Sequence, residues 1–156
     1  MIVVPSSDRE WLALTVFLRD HALIMPTPDT QCIGWVSDGK LVCAVGMQGF
    51  LGKVCQMHVA YMPGWHFTPR SLLRAVFHHA FVTTGREVVL GVVNSKNEKA
   101  LRMDEHLGFR ELFRLPGMHD DGGDMVLLGM TKDNCRYLDE PRASRSLGEQ
   151  DVATVH

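Results

Sequence analysis

Val88 to Val93 is an unbroken apolar run made mostly of valine, the pattern of a strand buried on both faces. Asn94 and Asn97 then precede a short helical stretch, and Leu107-Gly108-Phe109 closes it. The glycine stands where a helix C-terminus favours a left-handed residue, and Phe109 opens a further strand. A strand buried on both faces and followed by a crossover helix needs layers above and below it. The unit therefore calls for a sheet covered on both faces.

The flanking sequence supplies the rest of that sheet. Ile2 to Pro5 reads as a short first strand. Ser7-Asp8-Arg9-Glu10 has the capping-box form, and Trp11, Leu14 and Leu18 continue at helical spacing to about His21. Pro26 and Pro28 make Ala22 to Thr30 a loop. Cys32 to Val36 and Leu41 to Met47 form a hairpin about Asp38-Gly39, and Lys53 to Tyr61 extends the meander. After the loop Met62 to Phe67, Thr68-Pro69 reads as N-cap and first residue of a helix. Its apolar stripe runs through Leu72, Leu73, Val76, Phe77, Ala80 and Phe81. Phe109 to Leu115 and Met125 to Met130 complete the order β-α-β-β-β-α-β-α-β-β. The fold class is α+β: a mixed, mostly antiparallel sheet of six to seven strands with helices on both faces. Residues 1–136 read as one domain. The polar stretch 137–156 reads as a flexible or partner-docked tail, open to a second copy in a homodimer.

Composition narrows the function classes. At 156 residues, 46% hydrophobic and with net charge -2, the chain has room for one core and no basic excess to bind nucleic acid. No apolar run approaches the roughly 20 residues that span a bilayer, and Met1 to Pro5 lacks a secretory signal pattern. Cys32, Cys43, Cys55 and Cys135 are widely spaced with no CxxC pair, which fits buried, reduced thiols in a cytoplasmic protein. Metal is not expected. His78 and His79 are adjacent on a helix and point about 100° apart, and Asp120 to Asp124 is too short for a calcium loop.

The central unit resembles the GNAT superfamily of acyl-CoA N-acyltransferases, in which a helix of the form Asn-x-x-Ala followed by Gly-Phe lies beside coenzyme A. Asn97, Ala100, Gly108 and Phe109 fall at those spacings. The loop variants look like members carried by bacteriophages. The resemblance implies acetyl-CoA as co-substrate and a small-molecule or protein amine as acceptor, acetylated by direct attack. It places pantetheine between Val59 to Tyr61 and Val92 to Asn94, with Asn97 and Ala100 alongside. The pyrophosphate would lie over Gly64, Thr68, Arg70 and Ser71, because a helix N-terminus offers unpaired N–H groups to an anion. Phe67 and Pro69 replace glycines usual in that loop, and Pro69 removes a donor. This departure keeps an alternative open: a catalytically inactive GNAT-fold binding or host-interaction protein.

The family's proton donor, a Tyr seven residues after the helix Asn, is Asp104 here. A carboxylate can donate a proton at neutral pH only if burial raises its pKa. His58 and Tyr61 on the preceding strand are candidates for the remaining proton transfer. They face opposite sides of the sheet by the period-two rule, and His66 in the next loop is a third choice.

Overall fold

The computed structural model describes residues 1–138, so most of the expected tail lies outside the described residues. Seven strands form one sheet: β1 (Ile2–Val3), β2 (Gln31–Ser37), β3 (Lys40–Leu51), β4 (Val54–Tyr61), β5 (Val88–Asn94), β6 (Arg110–Leu115) and β7 (Met125–Thr131). Among the described residues three α-helices accompany them: α1 (Asp8–Ala22), α2 (Arg70–His78) and α3 (Glu98–Leu107). A π-helical turn, His79–Thr83, extends α2. The sheet order is β1-β2-β3-β4-β5-β7-β6, antiparallel except for the parallel pair β4–β5.

Strand alternation divides the core. Ile33, Cys43, Val45, Cys55 and Val89 pack with Leu72, Val76 and Phe77 of α2 and with Leu107 of α3. Cys32, Ala44 and Ala60 point the other way, onto Leu14 and Leu18 of α1. Helix α1 approaches closely because the sheet is bare beneath it. A Cβ on Gly34 would lie 2.7 Å from Leu14 Cδ2, and one on Gly46 would lie 2.8 Å from Leu18 Cδ1. Each fully buried Leu or Phe of these clusters contributes about 1.5–3 kcal/mol. The four cysteines are buried, and none forms a disulfide among the described residues.

Local signals account for most element boundaries. Asp38 (φ 50°) and Gly39 (φ 72°) both take positive φ, the type I′ geometry an Asp-Gly hairpin adopts. Ser7 caps α1, its Oγ accepting the Glu10 N–H at 3.3 Å, but the Glu10 carboxylate reaches back one residue further, to the Ser6 N–H at 2.7 Å. Gly108 (φ 113°) closes α3, donating to the Asp104 and Glu105 carbonyls. Tyr137 is buried and stacks on Phe77 with ring centroids 5.4 Å apart, and Leu138 packs on the same cluster. The packed core thus reaches the last described residues.

The start of α2 differs from the sequence reading. Pro69 (φ -57°, ψ 140°) is extended and stands outside the helix, which begins at Arg70, and the Pro69 carbonyl accepts the first helical bond from Leu73 N–H. Thr68 is not the N-cap. Its hydroxyl pairs with the Tyr61 hydroxyl at 2.5 Å, a tertiary bond that outcompetes the local cap.

Candidate active site

The parallel pair β4–β5 opens part-way along. The strands are in register at Val54↔Val88, Cys55↔Val89 and Gln56↔Leu90 and then separate, although β4 continues to Tyr61 and β5 to Asn94. Each strand follows its other neighbour. β4 stays paired with β3 as far as Cys43↔Tyr61, and β5 with β7 as far as Asn94↔Met125. The facing edges, Met57 to Tyr61 and Gly91 to Asn94, therefore present backbone polar groups that no strand satisfies.

A cleft of about 510 Å³ fills the opening, within the range of a small-molecule site. Its α2/α3 side is lined by Val59, Tyr61, Val93, Ala100, Met103 and Asp104. Its α1 side carries His21, Ala22, Leu23, His58 and Val92. Gly91 is the buried floor beside α3, where a Cβ would lie 4.0 Å from Asp104 Oδ2.

The titratable groups differ sharply in environment. Burial alone pushes the Asp104 carboxyl up to about 6. Burial also raises Tyr61 to about 12, with a smaller upward push from Asp104. The Thr68 hydrogen bond works against that rise without undoing it, so the Tyr61 proton stays on at neutral pH, and the hydroxyl also donates to Met103 Sδ at 3.3 Å. On the other face, burial lowers His58 below the usual imidazole value, and its Nε2 is buried without a hydrogen-bond partner among the described residues. A carboxyl pushed up to about 6 and an imidazole pushed down by burial thus line one cleft from opposite sides of the sheet.

No protein-family model matches the sequence, and no curated protein matches it. Solved structures do. A point mutant of spermidine N-acetyltransferase SpeG from Vibrio cholerae superposes with a TM-score of 0.69 at 14% identity, covering 90% of this chain and 98% of that one. The ribosomal-protein-S18-alanine N-acetyltransferase from Escherichia coli gives 0.66 at 16% identity, covering 84% and 92%. A putative acetyltransferase from T. thermophilus gives 0.60 at 17% identity, covering 69% and 62%. This is the GNAT acetyltransferase fold.

Of the residues expected to serve a GNAT site, Val59, Tyr61, Asn94, Asn97, Ala100, Asp104 and His58 all line this cleft. Two of them are also busy elsewhere. Asn94 Nδ2 donates to Asp121 Oδ2 at 2.8 Å while its Oδ1 accepts the Lys96 N–H at 3.0 Å, and its backbone carbonyl accepts the Asn97 N–H at 2.8 Å. Asn97 caps α3, its Oδ1 accepting the Ala100 N–H at 3.1 Å. Gly64, Thr68, Arg70 and Ser71 lie outside the cleft lining, along the loop and first turn of α2. That loop is held by its own contacts: Gly64 takes φ 86°, Trp65 Nε1 donates to the Phe67 carbonyl at 2.7 Å, and the two rings lie 4.5 Å apart. Sequence reasoning expects the acceptor side to be built by the first helix, the Pro26 to Thr30 loop and the last two strands; the end of α1 lines the cleft and residues 26–30 do not, and Trp65, Met103 and Gly91 were passed over as lining residues. Only the glycine inside a strand run carries a signal that points to close approach.

Proposed function

We propose that the protein is an acetyl-CoA-dependent N-acetyltransferase that moves acetyl directly to an amine. The observation that carries this reading is the separation of β4 and β5 after Gln56 and Leu90. It leaves two unpaired strand edges that match the extended, amide-bearing pantetheine arm, which a closed sheet would exclude. The residues present fit the group along the cleft. At the pyrophosphate end the fit rests on the first turn of α2, with Arg70 and Ser71 at its start, in place of a glycine loop.

The chain's own residues then divide the work. His58, which lines the cleft and whose pKa burial holds below the usual imidazole value, accepts the proton that an incoming ammonium must lose. The freed amine attacks the thioester carbonyl, the C–S bond breaks, and the sulfur leaves with the electron pair. Asp104, raised to about 6, supplies the proton that the sulfur takes up. Tyr61 is held by Thr68 and Met103 and shapes the wall without titrating.

Calorimetry with acetyl-CoA tests the binding half. Asn97→Ala is expected to weaken binding about tenfold by loosening the start of α3, and Arg70→Ala to weaken it by a similar factor. Binding that neither change affects removes both residues from the cofactor site. Absence of binding at millimolar acetyl-CoA leaves the inactive, binding-only alternative.

A further inference from the structure

The α1 side of the cleft contains a strained, exposed leucine. Leu23 caps α1 in the left-handed conformation (φ 56°) and is 90% exposed, yet it lines the cleft. A left-handed non-glycine residue costs about 1–2 kcal/mol; the Leu23 N–H caps the helix by donating to the Arg19 carbonyl at 3.2 Å, but its exposed side chain adds no burial against that cost. Val92, 40% exposed, lines the same side from β5, with His58 beside it on β4. The charge of the lining is equally uneven. Among the described lining residues Asp104 is the lone carboxylate, and it sits on α3, across the sheet from Leu23. The α1 side offers imidazoles and aliphatic carbons, and Lys99 adds a positive charge to the lining.

We infer that the acceptor is a small monoamine bearing an apolar substituent, which packs on Leu23 and Val92 while its nitrogen reaches the thioester beside His58. The inference rests on the acetyltransferase reading and sharpens it. A polyamine would bring several positive charges into a lining that holds Lys99 on α3 and, among the described lining residues, no carboxylate on its α1 side, whereas an apolar monoamine loses its one charge to His58. The step remains balanced: the amine N–C bond forms, the thioester C–S bond breaks, and one proton passes to His58 and one to the departing sulfur.

Phenethylamine and spermidine are the probes, assayed with the full chain by thiol release from acetyl-CoA and, separately, by calorimetry with coenzyme A present. Phenethylamine is expected to have a kcat/KM at least about tenfold above spermidine. Leu23→Gly relieves the left-handed strain, so it keeps the fold, and it is expected to raise KM for phenethylamine about tenfold with kcat retained and acetyl-CoA affinity unchanged. Preference for spermidine, or a Leu23→Gly enzyme with unaltered KM for phenethylamine, overturns the inference. Acetyl-CoA that binds without either amine being acetylated overturns it too, with cofactor binding intact. Failure to bind acetyl-CoA sinks both readings, and the calorimetric arm shows which has happened.

Discussion

Asp104 is where the chemistry of the chain is most exposed to test. Its carboxyl is raised from the ordinary 3.8 to about 6 by burial, so the folded state holds the proton more tightly than the unfolded chain. The stabilisation from that proton is full below about pH 4 and disappears as pH rises through 6. Asp104→Asn keeps the shape and removes the charge. The variant is therefore expected to be more stable than the parent above pH 7, by about 2 kcal/mol after allowance for partial exposure, and nearly equal to it at pH 4. Denaturant unfolding at the two pH values checks this, and equal stability at both would mean that Asp104 has a partner. In activity, the parent kcat is expected to fall as pH rises through 6, because the proton donor is spent, and Asp104→Asn should lose that limb along with most of its rate. The position of Asp104 in the helix was legible from spacing alone. Its depth of burial was not, because that depends on Gly91 from one strand and Met103 and Tyr61 closing around it.

At the scale of elements, the end of β5 is tied to the β6–β7 connection. Asn94 bonds Asp121, Lys96 Nζ donates to the Asp121 carbonyl, and Ser95 and Asp124 exchange bonds of 2.9 and 2.8 Å. Gly123 is required there, since a Cβ would lie 2.1 Å from Asn94 Oδ1. Gly123→Ala is expected to break the Asn94 bonds and cost about 1–3 kcal/mol, measured by thermal melting, and to weaken acetyl-CoA binding by freeing one edge of the cleft. Unchanged melting would show that the loop moves aside freely. From sequence, Asp120 to Asp124 reads as a solvated turn, because its polar composition carries no trace of the distant partner upstream. Thr68-Pro69 shows the same limit in reverse. The local pattern for a cap is sound, and Tyr61 takes the hydroxyl instead. Leu23 gave no signal either, since a leucine within the Ala22 to Thr30 loop carries no mark of a left-handed cap.

For the whole molecule, element order, sheet character and the hairpin were legible because they rest on periodicity, Asp-Gly chemistry and the Val88 to Phe109 unit, all local in sequence. The cleft follows from that order only through pairing choices between distant strands, with β4 following β3 and β5 following β7. No helix among the described residues is long and apolar enough to cross a membrane. Everything functional depends on the opened sheet accepting the co-substrate. Isothermal calorimetry of the full chain with acetyl-CoA tests this most directly. The account predicts one site per chain with micromolar affinity, weakened about tenfold by Asn97→Ala. No heat of binding at millimolar acetyl-CoA would contradict it.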